Sequence, residues 1–427
     1  MRTEAGGVTL KSAIAFVIVA ALGISQADAG SATLPVGPQW GDQDLSPFYR
    51  WTEALPSGPG VMLREEALPA QPEITKAALA RRILYSSTDL RWHAGIVPVS
   101  GTLYLPAGEP PAGGWPLVAW AHGTLGVADS CAPSWTGHKP RDATYIERWL
   151  ESGFAVVATD YQGLGGPGPH PYLIWAAEGR SVLDAVRAAR AAHADKLAPK
   201  VFISGQSQGS GAALGATTVA PSYAPDVPLL ATVATGLVSS FPDGPYKPAE
   251  PFKIGSPIYL TLMMLGGSLP DGASVDKLVT EKGGLVLHAA RKSCTGEMRA
   301  IAQKDGVTAD NAYVEPLTKI EASFPPPTDM KPVRLPVPVL LGTGLADSVL
   351  PPLRQYAAVV ALCSAGNDAV WKTYPGMTHN GGVNAAFPDA LAFFREVLAG
   401  RKPASNCAGI AQPGAPTEPT KGIPFND

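Results

Sequence analysis

From about residue 82 onward the chain alternates between short strand-like runs and longer segments whose apolar positions recur every three or four residues. The runs 82–87, 96–105, 116–122, 154–158, 200–204 and 229–238 have the length and composition of strands, several of them apolar throughout, as in a strand covered on both faces. Segments 143–152, 178–193 and 208–220 have helical patterning. In 178–193 the apolar stripe is Val182, Val186 and Ala189, with Arg180, Asp184, Arg187 and Arg190 expected to point elsewhere. Strands and helices in strict alternation predict an α/β architecture: a mostly parallel sheet flanked by helices on both faces.

The rhythm breaks between residues 241 and 331. Segments 254–265, 275–291 and 311–322 have helical patterning there, no strand is evident, and the stretch closes on Phe324 and three prolines. Strands are expected again at 333–342 and 369–374, with helices at 353–365 and 386–398. The pattern therefore predicts a helical insertion, 241–331, dividing an α/β core into 30–240 and 332–427. Residues 30–80 are proline-rich and irregular, the last twenty-odd are polar and proline-rich with at most Cys407 as a tether, and no internal repeat is present.

The amino terminus changes the picture of the cell compartment. Arg2 and Lys11 precede the apolar run 13–24, and Ala27-Asp28-Ala29 is a small-x-small cleavage pattern, so 1–29 is expected to be a signal peptide. The apolar run is too short to cross about 30 Å of hydrocarbon as a helix. Export, to the periplasm or the medium, favours disulfides. Cys131, Cys294, Cys363 and Cys407 lack metal-ligand spacing, and two bridges are expected, with three pairings open.

Composition adds little beyond exclusions. About 400 residues remain after the leader, enough for one large domain with an insertion or for two domains. The 45 % hydrophobic content fits a full core. A net charge of −3 with no basic run argues against nucleic acid as a partner. Gly 46 and Pro 43 are spread along the chain and indicate many turns.

The chemistry is carried by Gly205-Gln206-Ser207-Gln208-Gly209, which follows a strand pattern and precedes a helix pattern. A serine at the tip of a tight strand-to-helix turn exposes its hydroxyl above the sheet. The residues two before and two after it come so close that glycine removes a clash. The helix that follows aims its amino terminus, and the Gln208 N–H, at a developing oxyanion. This turn is the mark of the α/β-hydrolase fold, in which the acid and then the histidine follow the serine along the chain.

Only His288 and His379 follow Ser207. His288 lies in the helical insertion, whereas His379 lies in a glycine-rich loop directly after the strand 369–374. Asp347, in the loop after the strand ending at Gly342, is the expected acid; Asp368 precedes a strand, and Asp389 follows the histidine. Asp347 could equally cap the helix after Pro351, and the two roles are compatible. A second oxyanion donor is expected in the loop 121–126, with Thr124 offering an N–H and a hydroxyl, and with Gly123 and Gly126 as alternatives. His122 is expected to be a packed loop residue.

The order of Cys131-Ala-Pro-Ser134, Asp160-Tyr-Gln-Gly-Leu-Gly165, Pro171-Tyr-Leu173, the segment 181–187 and the Gly205–Gly209 turn, followed by Asp347 and His379, resembles the secretory lipase family, the lipase A type of α/β-hydrolase. The similarity runs from about Pro47 to Cys407. It implies a cap over the active site, and the disulfides Cys131–Cys294 and Cys363–Cys407. Fungal members carry an acidic residue in the oxyanion loop, and His122–Gly126 here has none, so the second donor does not carry over.

The expected function is hydrolysis of a small-molecule or lipid carboxylic ester through an acyl-enzyme on Ser207. His379 acts as base and acid and Asp347 orients it. Transient contact with a lipid interface is a further expectation; no cofactor, metal, nucleic acid or protein partner is implied. An acyltransferase or a serine peptidase would use the same residues. A non-catalytic binding protein of this fold would show a broken triad, and no member is missing. Met263 and Met264 suit an acyl pocket or, more simply, the core of the insertion.

Overall fold

The computed structural model describes residues 1–4, 33–246, 256–316, 319–320 and 329–427. The leader expected at 1–29 lies outside them apart from its first four residues, as do parts of the expected helices 254–265 and 311–322 and the Phe324–proline run.

Nine strands form one sheet: β1 (Met62–Ala67), β2 (Ala77–Thr88), β3 (Ile96–Pro106), β4 (Trp115–Ala121), β5 (Ala155–Thr159), β6 (Leu197–Gln206), β7 (Leu229–Thr235), β8 (Val339–Gly344) and β9 (Ala369–Tyr374). Their spatial order is β1-β2-β3-β5-β4-β6-β7-β8-β9. The first three pair antiparallel, and β3 pairs antiparallel with β5; from β5 to β9 every pairing is parallel. This is the α/β-hydrolase architecture expected from the alternating pattern, with β1 added inside the stretch expected to be irregular. β8 begins at Val339 rather than at 333, because Pro336 and Pro338 cannot donate to a central ladder.

The ten helices described are α1 (Pro133–Thr136), α2 (Pro140–Glu151), α3 (Trp175–Ala192), α4 (Gln208–Tyr223), α5 (Pro257–Met263), α6 (Glu281–Ala290), α7 (Thr295–Lys304), α8 (Pro352–Ser364), α9 (Gly381–Ala385) and α10 (Phe387–Leu398). Alternation along β4 shows how they cover the sheet. Leu117, Ala119 and Ala121 join a core shared with α3 and α4, while Val118 and Trp120 join a second core with Tyr145, Trp149, Phe387 and Phe394 of α2 and α10. Trp149 and Phe202 both stack on Phe394, with ring centroids 5.1 and 4.3 Å apart.

Two sequence expectations for the helices need correction. Asp184 does not point outward from α3; it is fully buried and accepts from Ser87 Oγ, Tyr223 Oη and Arg187. The helix is enclosed by α4 on one side and β2 on another, so its carboxylate is paired rather than solvated. The expected helix 275–291 is a short turn followed by α6, and of the expected helix 311–322 residues 311–316 are turn and bridge while Lys319 and Ile320 are helical.

Between β7 and β8, helices α5, α6 and α7 gather their own apolar core around Leu260, Met263, Met264, Val286, Leu287 and Met298. Val127, Tyr172, Leu173 and Trp175 from the rest of the chain join it, so the helical segment rests on the loops after β4 and β5. A disulfide joins Cys131 to Cys294 at the start of α7, and the Thr295 N–H donates to the Leu125 carbonyl at 2.8 Å beside it. The second disulfide joins Cys363 of α8 to Cys407. The chain beyond Cys407 is held by more than that bridge: Thr417, Thr420 and Asn426 hydrogen-bond back onto the loops after β8 and β9. Polar composition concealed this, because the ties are hydrogen bonds rather than buried apolar surface. Among the described residues no helix is long and apolar enough to cross a membrane.

The bridges enclose 163 and 44 residues. Loop-closure entropy then assigns about 5 kcal/mol to Cys131–Cys294 and about 4 kcal/mol to Cys363–Cys407. Replacing Cys131 and Cys294 together by serine should lower the denaturation midpoint more than the same replacement of Cys363 and Cys407. Equal midpoints for both variants and the parent in guanidinium titrations would contradict that assignment.

Candidate active site

Every chemically interesting loop leaves the carboxyl end of a parallel strand. β6 ends at Gln206 and α4 begins at Gln208, leaving Ser207 between them at φ 57°, ψ −121°. For a residue with a side chain this backbone stores on the order of 1–3 kcal/mol of strain. It is held there by its own N–H donating to the Thr235 carbonyl at the end of β7 (3.0 Å). The glycines on either side are compelled. A Cβ at Gly205 would overlap the Gly209 carbonyl, and one at Gly209 would overlap the carbonyl of Ala121 at the end of β4. Three backbones thus meet around Ser207 with no room for a methyl group.

Asp347, in the loop after β8, is buried and divides its two oxygens between two tasks. Oδ1 accepts from the Val349 and Leu350 N–H groups (2.9 and 2.8 Å), closing the turn before α8. Oδ2 accepts from Gln355 Nε2 (3.0 Å) and lies 2.7 Å from Nδ1 of His379. A carboxylate oxygen opposite Nδ1 requires the proton on that nitrogen, leaving Nε2 free to act as a base. Gln355 is itself fixed, its Oε1 accepting from Leu237 N–H and Thr343 Oγ1.

His379, after β9, has a side chain only 11 % exposed. Its ring lies over Gly236, where an added Cβ would come within 2.9 Å of Cε1, and its carbonyl accepts from Gln206 Nε2 at 3.2 Å. Gly236 directly follows Thr235, whose carbonyl anchors Ser207, so histidine and serine are tied to neighbouring residues of one strand end. The alternatives lie elsewhere: His288 is exposed on α6, Asp368 pairs with Lys402, and Asp389 accepts from Tyr374 Oη.

On the opposite side of Ser207 the loop after β4 runs past it. A Cβ at Gly123 would meet Gln206 Oε1 at 2.6 Å and Ser207 Cβ at 3.5 Å. Thr124 Oγ1 and Tyr172 Oη share a 2.7 Å hydrogen bond. His122 is buried, its Nδ1 against the Gly123 carbonyl (2.8 Å) and its own carbonyl accepting from Tyr161 Oη, which is the packing role expected of it.

Gln208 heads α4 with its N–H at the helix amino terminus, and its side chain is locked from behind. Nε2 donates to Glu178 Oε1 and to His170 Nε2, both at 2.7 Å. His170 Nδ1 donates to the Gln162 carbonyl (2.9 Å), so Nε2 is the unprotonated nitrogen and can accept. Burial pushes the Glu178 carboxyl up to about 8 and the His170 imidazole down to about 3. Both groups are then neutral near pH 7, and the cluster carries no net charge toward Ser207. Glu178 and His170 gave no sequence signal, since an acid in the first turn of a helix is ordinary. Gln206 and Gln355 were equally silent, each being a generic polar residue until its partners are known. Among the described residues no group of three or more His, Cys, Asp or Glu side chains could hold a metal ion.

Comparison with known proteins agrees with this fold. Residues 133–243, which include Ser207, match the secretory lipase family model. Lipase A from Candida antarctica superposes with a TM-score of 0.62 in its closed state, at 18 % identity over 93 % of this chain and 92 % of that one. A second structure of that lipase gives 0.63 at 19 % identity, covering 88 % and 90 %. The rice cell wall degrading esterase LipA from Xanthomonas oryzae gives 0.59 at 17 % identity, covering 81 % of this chain and 100 % of that one. No curated protein matches the sequence.

The folded chain keeps the Glu178 proton that the unfolded chain releases above its ordinary value of 4.5, up to about 8. The stability this gives is present below 4.5 and is lost as pH rises toward 8. Glu178→Gln keeps an acceptor for Gln208 and removes the proton, so its melting temperature should fall less than the parent's between about pH 5 and pH 8. Parallel decline of the two melting curves across that window would show that Glu178 is not protonated in the fold.

Proposed function

We propose that this chain is an exported serine hydrolase that cleaves carboxylic esters, a lipase or esterase, with Ser207, His379 and Asp347 as its catalytic triad. One observation carries the reading: the strained, glycine-flanked Ser207 stands at a strand end beside a histidine whose Nδ1 is 2.7 Å from a buried carboxylate. A serine held in that conformation near an oriented base supports nucleophilic chemistry. The match of residues 133–243 to the secretory lipase model supports the ester as substrate.

His379 Nε2 accepts the proton of the Ser207 hydroxyl as Oγ adds to the ester carbonyl. The tetrahedral oxyanion is met by the Gln208 N–H, reinforced by the dipole of the four-turn α4, and by a donor from the loop 122–126, with Thr124 as the proposed residue. The imidazolium that forms is stabilised by Asp347 Oδ2, then gives its proton to the departing alkoxide. Water, deprotonated by the same imidazole, attacks the acyl-enzyme; the carboxylic acid leaves and the serine is restored. The neutral Glu178–Gln208–His170 cluster suits this, since an uncompensated negative charge behind Gln208 would oppose the oxyanion.

The helical segment, proposed as a cap spanning 241–331, sits on Tyr172 and so above the Thr124 side of the site. Export rests on the 1–29 leader pattern and on two disulfides suited to an oxidising compartment.

Ser207→Ala should lower kcat for p-nitrophenyl esters by about 10⁴-fold or more while leaving the fold intact. Rates should also fall toward acid pH with the uptake of one proton, because a protonated imidazole cannot accept from serine. A set of esters of increasing acyl length, with and without emulsified triglyceride, assigns the substrate. Retention of the parent rate by Ser207→Ala would overturn the reading.

A further inference from the structure

Carboxyl-terminal residues normally fray, because few groups remain to pair with them. Here the last residues return to the two loops that carry Asp347 and His379. The Thr417 N–H donates to the carbonyl of Leu345, two residues before Asp347 (2.8 Å). Thr417 Oγ1 accepts from the Gly376 N–H (3.0 Å), and the Thr420 N–H donates to the Gly376 carbonyl (2.9 Å). Asn426 completes the set. Its Oδ1 accepts from the N–H of Thr378, the neighbour of His379 (2.7 Å), and its Nδ2 donates to the carbonyls of Gly376 and Thr420 (2.9 and 2.8 Å).

The Asn426 amide behaves as a detached peptide group. It offers one acceptor and one donor to the loop and a second donor to the tail's own Thr420 carbonyl, which aspartate cannot do for lack of donors. The loop is shaped to receive it. Gly376 has φ +70°, and a Cβ at Gly376 would overlap Thr420 Oγ1, while one at Gly381 would overlap Asn426 Oδ1. The two loops are also stitched directly, Leu345 N–H to the Tyr374 carbonyl (3.0 Å) and Ala346 N–H to the Met377 carbonyl (2.9 Å). The tail thus crosses a seam whose two sides must stay in register for the 2.7 Å Asp347–His379 contact to exist.

We propose that residues 417–426 are a clip that sets the Asp347–His379 hydrogen bond, with Asn426 as its positioning residue. The inference rests on the triad reading given above. A positioning role predicts a particular pattern of damage. Substrate binding is untouched, because the clip's hydrogen bonds go to the backbone of the two loops and to no residue of the Ser207 turn. The chemical step slows, because small displacements of a base are costly.

The test uses the full-length protein with Asn426→Ala, and with Thr417→Val as a milder variant that removes one hydrogen bond should the first fold poorly. Asn426→Ala should lower kcat about tenfold or more with KM within about twofold. The low-field proton resonance of the His379 Nδ1–H should weaken or vanish, with secondary structure by circular dichroism retained; Thr417→Val should move both readouts in the same direction by less. Parent-like kcat and an unchanged low-field resonance in both variants would overturn the clip. The resonance reports the Asp347–His379 bond directly, so it judges the clip even if Ser207→Ala keeps full esterase activity and the triad reading falls.

Discussion

Three backbones approach one another around Ser207 more closely than side chains allow. Gly209 of α4 lies against the Ala121 carbonyl of β4, and Gly205 of β6 lies against Gly209. Because β4 and β6 are parallel neighbours, with Ala121 in register with Gly205, the loop leaving β4 is delivered beside the serine. The strained φ of Ser207 follows from the same crowding: the chain must reverse from strand to helix within one residue, and the Thr235 carbonyl holds it while it does. Gly123, Gly236 and His379 are then placed relative to that turn, not independently of it.

Around this centre, burial does the electrostatic tuning. Glu178 holds the Gln208 side chain, and desolvation outweighs its hydrogen bonds and raises its carboxyl to about 8. Asp347 is equally buried but accepts from two backbone N–H groups, Gln355 and His379. Their donor sets differ. Glu178 Oε1 receives two and Oε2 finds none, whereas both oxygens of Asp347 are engaged. One carboxyl group is thereby a neutral strut for Gln208, and the other holds His379 in one orientation.

What the sequence revealed followed from periodicity and from backbone-imposed residue types. The sheet strands from β2 to β9 and helices α2, α3, α4, α8 and α10 were legible because apolar periodicity survives wherever an element packs against the sheet. Ser207 was legible because Gly205 and Gly209 answer a steric demand, and His379 because a single candidate followed a strand. The rest depends on partners distant in the chain. Glu178 pairs with Gln208 thirty residues on, Gln355 joins Leu237 to Asp347, and Asp184 is buried only because β2 and α4 enclose it. β1 escaped notice because an edge strand with Arg64, Glu65 and Glu66 carries little apolar signal.

The same reasoning explains why the loops at the strand ends need ties from outside. Loops rich in glycine and polar residues, such as 121–126 and 375–382, bury little apolar surface, so hydrophobic packing cannot fix them. Each is secured by a different device that originates far away in sequence. Cys294 and the Thr295 N–H hold the loop after β4 through the start of α7, and Asn426 and Thr417 hold the loops after β8 and β9. One tie is covalent and the others are hydrogen bonds, a division that matches their tasks. The first joins the loop to a separate helical segment across a long stretch of chain. The second lies behind a histidine whose orientation must be exact to a fraction of an ångström, where directional bonds specify geometry better than a flexible cross-link.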